Sequence, residues 1–228
     1  RYDQLAQTNL ALASAAIEVG EKEIAKEILT AQTKDAKEQF ARAYDTEIFS
    51  NYASASMLLR DGDLDTATNS GGTNPIIPSK SNFYEIIRRM NLKMDLAVDS
   101  LGNKTGLSIN GRWAILSPNE KFHMEAMPEL LRSTELGDRI VTGGLIGTIQ
   151  GVKFFWSNLL VEAGGTRYCL FGQGKPISFG ANIKPKIQFV GQETQANTFL
   201  NYLKGMTKYG SKVFAEGAEK LGSLQIKV

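Results

Sequence analysis

The chain has 228 residues, 42% hydrophobic, 22% charged and 9% aromatic, the proportions of a folded globular protein and not of a disordered one. Lys and Arg total 26 against 24 Asp and Glu, a net charge of +2, which is unlike a dedicated nucleic-acid binder whose affinity rests on neutralising many phosphates. A lone cysteine, Cys169, and a lone histidine, His123, exclude an internal disulfide framework and a multi-histidine metal centre, and no apolar run approaches the roughly 20 residues of a membrane-spanning helix.

The first residue, Arg1, is followed by no charged-then-apolar secretory pattern and reads as a processed or truncated start. Residues 9–19 partly alternate and end in Ile17 and Val19, which predicts a short strand. From Glu21 the period changes: Ile24, Ile28, Ala36, Phe40, Tyr44 and Ile48 recur at multiples of four. Lys22, Lys26, Lys34, Lys37, Glu38 and Arg42 lie mostly off that stripe. With no Gly or Pro over 21–61, a helix of about 35 to 40 residues is expected, far longer than the ~11–12 residue mean. It reads either as a solvated hairpin arm or as a spine lying along a sheet.

Residues 61–82 carry Gly62, Gly71, Gly72, Pro75 and Pro78 in a polar run. They predict a loop with little core and a domain boundary. The segment DGDLD (61–65) lacks the remaining ligands of a calcium loop and reads as a solvated turn. A second amphipathic helix is expected over 83–101, capped by Ser81 or Asn82. Asn110-Gly111 predicts a turn, WAIL (113–116) a short buried strand, and Ser117-Pro118 the start of a short helix. Residues 138–161 read as a β-meander with a tight glycine turn. Short strands are expected at 168–172, 175–180 and 186–190, a weakly apolar element around Phe199, Tyr202 and Leu203, and a strand-like ending from Lys212.

Chemistry is poorly supplied. The glycine-rich stretch 142–151 runs into VKFFWSN, not into a helix amino terminus, and lacks the Lys-Ser/Thr pair of a phosphate loop. GQGKP (172–176) fails because Pro176 cannot open a helix there. His123 has Glu120 and Glu125 near it in sequence, so a base with an orienting carboxylate is conceivable, but surface or core is the commoner fate of such a histidine. Cys169, inside an apolar strand, reads as an inert thiol. Asn103-Lys104-Thr105 matches a glycosylation acceptor without any sign of secretion. Trp113 after Arg112 could stack a nucleotide, but reads better as core. Lysines 204, 208, 212, 220 and 227 face only Glu216 and Glu219 over 199–228, a local charge of +3. That end suits a wet surface, or an anionic neighbour or packaged polyanion. The expectation is therefore no catalytic residue, no cofactor and no metal.

Taken in order, these segments resemble the major capsid protein of tailed bacteriophages with the Hong Kong 97-like fold. The resemblance rests on NFYEIIRRMNLKMD (82–95) leading into SINGRWAILSP (108–118), then GLIGTIQG (144–151) and VKFFWSN (152–158). The long Ala/Glu/Lys helix ending in AYDTEIF (43–49) is similar to the family's spine helix, and the Tyr209-Gly210 step with a final hydrophobic strand is similar too. The family's amino-terminal arm and extended loop have almost no room ahead of that helix.

The resemblance implies an α+β fold: a long spine helix with a peripheral β-sheet, plus a mixed α/β axial domain. Its division would be 1–60 as peripheral domain with spine helix, 61–82 as connecting loop, 83–204 as axial domain, and 205–228 as a return to the peripheral domain. It implies a non-enzymatic coat protein that self-assembles through hexamers and pentamers into an icosahedral shell around double-stranded viral DNA. The implied location is the virion capsid, assembled in the host cytoplasm. Scaffold, portal and decoration proteins are implied partners, packaged DNA is contacted weakly and non-specifically, and no membrane is involved. The competing readings are an encapsulin-like nanocompartment shell protein and a small nucleotide-binding domain using 142–151.

Overall fold

The computed structural model describes residues 22–65, 72–99, 101–127, 148–190 and 202–228. The strand expected at 9–19 lies outside them. The chain divides into two compact units: one takes the chain up to Asp45 with Phe179–Gly210, the other takes Thr46–Ser178 and Ser211–Val228.

Helix α1 (Lys22–Phe49) has 28 residues, roughly 42 Å at 1.5 Å per residue. The expected stripe is visible at Ala36, Phe40 and Tyr44, half-buried beside buried Gln32, while Lys34, Lys37, Glu38 and Arg42 are exposed. The helix is shorter than the absence of Gly and Pro suggested. A 3-10 helix, Ser50–Ser54, follows it directly. The reason is local: Ser50 Oγ donates to the Glu47 carbonyl at 2.7 Å, and Asn51 Nδ2 donates to the carbonyls of Glu47 and Ile48. Side chains thus satisfy carbonyls that another helical turn would have used. In the first unit, α1 is accompanied by a two-stranded sheet of β7 (Ile177–Val190) and β8 (Tyr202–Val213). Expected as separate short strands, 175–180 and 186–190 are one strand. Pro185 is tolerated because each strand of a two-stranded sheet has an unpaired edge. Tyr44 fixes the packing: its ring lies 5.2 Å from Phe179 and 4.7 Å from Tyr209, and its hydroxyl is 2.5 Å from Thr207 Oγ1.

The second unit is built on β1 (Met57–Leu59), β2 (Arg112–Leu116), β3 (Thr148–Ile149), β4 (Val152–Trp156), β5 (Glu162–Ala163), β6 (Thr166–Gln173) and β9 (Leu221–Lys227). Their order is β1-β9-β6-β2-β4-β3, with β5 paired to β6. Helix α2 (Phe83–Asp95) buries Phe83, Ile86, Ile87, Met90 and Met94 in the core with Leu59, Ala114, Leu116, Phe171 and Leu224. Helix α3 (Pro118–Glu125) lies in the connection between β2 and β4, and α4 (Ala215–Ala218) precedes β9.

Three expectations change here, and one is met in part. Of the β-meander expected over 138–161, β3 and β4 make the glycine-turn hairpin, residues 138–147 lie outside the described ones, and β4 also pairs in parallel with β2, which requires a crossover connection. Helix α2 stops at Asp95, so Leu96 and Leu101 are exposed and not part of its apolar face. The 61–82 segment supplies core: Leu64 and Ile76 are buried, and Ile76 N donates to the Gln225 carbonyl at 2.8 Å while its own carbonyl accepts from Lys227 N. No division of the compact units falls there. The strand-like ending is broken by α4, where Gly217 sits so close to the Pro176 carbonyl that a Cβ would collide with it.

Candidate functional site

Two buried arginines, each opening a strand position that alternates with core residues, organise the surface of the second unit. Gly111 adopts a left-handed φ of 80° and turns the chain into β2. Period-two alternation then puts Arg112 on the covered side with Ala114 and Leu116. Its guanidinium donates to Asn91 Oδ1 at 2.9 Å, Asp95 Oδ1 at 2.5 Å, the Leu107 carbonyl, and the Ser108 carbonyl at 3.1 Å. A buried charge is tolerated only when paired and hydrogen-bonded in this way. The arginine therefore pins residues 107–108 to α2.

The adjoining turn is built by Asp99. Its carboxylate accepts from Leu101 N, Asn103 N and the Asn103 side-chain amide at 2.7–2.9 Å. These bonds, led by that of the Asn103 side chain, hold the carboxyl below its ordinary value. A bridge between Val98 and Lys104 closes the turn. A well-braced loop thus presents Leu96, Val98, Leu101 and Ile109 to solvent, with Leu101 84% exposed.

The second arginine, Arg167 on β6, reaches Glu120 Oε1 and Ser117 Oγ at 2.8 Å and Glu162 through Nε at 2.7 Å. Glu120 is 1% exposed and its other oxygen accepts from Ser117 N at 2.8 Å, closing the capping box that starts α3. Burial opposes the charge on Arg167, yet the hydrogen bond it donates to Glu162 and the charge of Glu120 outweigh it and raise its pKa. Beside this cluster a groove is lined by Pro78, Phe122, His123, Lys227 and Val228, with Phe122 strongly exposed.

The sequence candidates are dispersed. Within 142–151, residues 148–151 are the β3–β4 hairpin with positive φ at Gln150 and Gly151. The hairpin leads into strand β4, not into a helix terminus, and residues 142–147 lie outside the described ones. GQGKP is the β6–β7 turn, where the Gly174 carbonyl accepts from Trp113 Nε1 at 2.9 Å. Trp113 is half-buried and packs against the core margin; the fully covered positions of β2 are those of Arg112, Ala114 and Leu116. His123 has an edge contact with Phe122, while Glu120 is committed to Arg167 and Glu125 pairs with Lys121, so neither orients the imidazole. Cys169 is buried, and desolvation pushes its thiol well above the ordinary value. In DGDLD, Asp63 pairs with Lys93 at 2.7 Å and Asp65 with Arg89, tying the turn to α2. Among the described residues, no three His, Cys, Asp or Glu side chains converge as metal ligands, and no helix is long and apolar enough to cross a membrane. The buried arginines were legible only as parity: Arg112, Ala114, Leu116 and Arg167, Cys169, Phe171.

The fold is mixed α and β, and its structural neighbours include chains of bacteriophage capsid structures. A chain of Mycobacterium phage Che8 superposes with TM-score 0.62 at 15% identity, over 86% of this chain and 62% of that one. The capsid of Helicobacter pylori bacteriophage KHP30 gives 0.57 at 10% identity, over 94% and 72%. That of cyanophage P-SCSP1u gives 0.55 at 13%, over 86% and 65%. This chain therefore spans less than two thirds of the length of the Che8 and P-SCSP1u chains. No protein-family model and no curated protein matches the sequence.

Proposed function

We propose that this chain is a structural, non-enzymatic capsid subunit of the Hong Kong 97-like type, self-assembling into a closed shell around double-stranded DNA. The observation that carries this reading is the fold shared over 94% of the chain with the KHP30 capsid. The exposed apolar residues of the second unit, Leu101, Ile109 and Phe122 among them, support it, because such surface is normally covered by a partner. In this proposal the first unit, with α1 and the two-stranded sheet, is the peripheral domain and the second unit is the axial domain. Residues 46–60 and 211–228 then belong to the axial side, opposite to the assignment that the sequence suggested. Self-association is the primary interaction; scaffold, portal and decoration proteins would be further partners, and the virion capsid the location.

Size-exclusion chromatography with negative-stain electron microscopy tests the proposal. Rings or closed shells are expected. A monodisperse monomer at high concentration would overturn it.

A further inference from the structure

The turn that opens β2 carries the one Asn-Gly step in the sequence, Asn110-Gly111. Residues 108–111 are all exposed, and Gly111 turns with a φ of 80°. Two bonds hold the turn from outside: the Asn110 carbonyl accepts from Gln173 Nε2 and the Gly111 carbonyl from Gly174 N, both at 3.1 Å. The Asn110 backbone N–H donates to Ser108 Oγ at 3.3 Å. Among the described residues, neither the Asn110 carboxamide nor the Gly111 N–H has a hydrogen-bond partner. Gly111 has no Cβ, and nothing lies within 4 Å of where one would stand, so only its chain neighbours crowd that side of it. Asn103 differs on both counts: its carboxamide donates to Asp99 Oδ2 at 2.9 Å, and Lys104 follows it.

We propose that Asn110 is a self-modification site: the Gly111 nitrogen attacks its side chain, and the residue converts to aspartyl and isoaspartyl forms. The nitrogen gives up its proton and bonds to Asn110 Cγ; the Cγ–Nδ2 bond breaks and ammonia leaves with that proton, giving a five-membered imide. Water then opens the ring. Addition at Cγ gives an ordinary aspartate, and addition at the main-chain carbonyl carbon gives isoaspartate, whose backbone runs through Cβ. Water is the co-reactant, and nothing is oxidised or reduced. Both products place a carboxylate where a neutral amide stood, two residues before the buried Arg112. The isoaspartyl form also lengthens the main chain by one atom at the entry to β2. Arg112 sits in a strand paired on both sides. Residues 107–109 belong to no strand, and the arginine side chain holds the Leu107 and Ser108 carbonyls. The added atom is therefore absorbed by loosening 107–109. The inference stands on this turn alone and does not depend on the capsid reading.

The test incubates the full folded chain in neutral and in mildly alkaline buffer. Proteolytic peptides are then read by mass spectrometry, with an isoaspartyl methyltransferase and labelled S-adenosylmethionine as the probe. Amide loss should come first in the peptide holding Asn110, at least about tenfold faster than at Asn103. It should quicken in the alkaline buffer, because the attacking nitrogen must shed its proton. Asn110→Gln lengthens the side chain and disfavours the five-membered ring, so methylation of that peptide should disappear. The comparison of Asn110 with Asn103 needs no variant and holds even if Asn110→Gln folds poorly. Hydrogen exchange on the aged chain should show protection lost at residues 107–109 in step with the isoaspartyl fraction. Asn110 intact in the folded chain while the urea-unfolded chain converts would mean that the turn holds the nitrogen away from Cγ, and overturns the proposal. Equal conversion at Asn103 overturns it too. Conversion at Asn110 with protection at 107–109 unchanged overturns the loosening assigned to that segment.

Discussion

Arg112 shows how much one side chain can organise. It is 2% exposed and joins α2, through Asn91 and Asp95, to the backbone at 107 and 108. Arg112→Met would keep much of the volume but strand the buried Asn91 amide oxygen and Leu107 carbonyl, while the exposed Ser108 carbonyl turns to water. Each buried acceptor left unmade costs about 1–3 kcal/mol, so a loss of about 3 kcal/mol is expected in denaturant unfolding. Amide protection around residues 107–109 should fall first. Cys169 makes a pH prediction. Burial raises its thiol well above 9.0, so the folded chain keeps a proton that the unfolded chain releases. Stability from this group is intact below about pH 9 and falls as pH climbs from there toward the folded value. Wild type should therefore lose more stability than Cys169→Ala between pH 8 and roughly pH 10, with alkylation of the thiol slow until the chain unfolds.

Among the elements, those whose signals were local were legible in the sequence. Ser117-Pro118 with Glu120 does cap α3, Asn110-Gly111 does turn, and the α1 stripe at Ala36, Phe40 and Tyr44 faces inward. What stayed hidden depended on distant partners. Ile76 looked like loop because its two strand-like bonds come from Gln225 and Lys227. The pairings that bury Arg112 and Glu120 could not be read because their counter-groups, Asp95 and Arg167, lie far along the chain. The parallel pairing of β2 with β4 leaves no mark in either strand. For the candidate surface, the composition of 96–109 contained the exposed apolar residues, but only the end of α2 at Asp95 put Leu96 and Leu101 outside the core. Gly222 is a sharper case. A Cβ there would run into the ring of Phe171, its cross-strand partner in the register of β6 and β9. Gly222→Ala should destabilise by about 1–3 kcal/mol, whereas Gly180→Ala, with open space around it, should cost under about 1 kcal/mol; thermal unfolding of both variants checks the difference.

For the whole molecule, the distinction to test is between folding and association. Leu101 is 84% exposed, so Leu101→Ser should move stability by no more than about 0.5 kcal/mol. If the braced loop is covered in a shell, the same change should raise the concentration at which particles appear by light scattering. A second consequence comes from strand order. β1 pairs in parallel with β9, and Ser56 Oγ donates to the carbonyl of Ala218, 162 residues away. Pairings so remote in the chain are slow to find. On the ribosome, β1 must wait with its one neighbour among the described strands unmade until β9 has been translated. That delay acts as a clock: the second unit cannot mature before β9 emerges, so on the capsid reading proposed above polysomes crowded with half-made copies would hold few surfaces ready to polymerise.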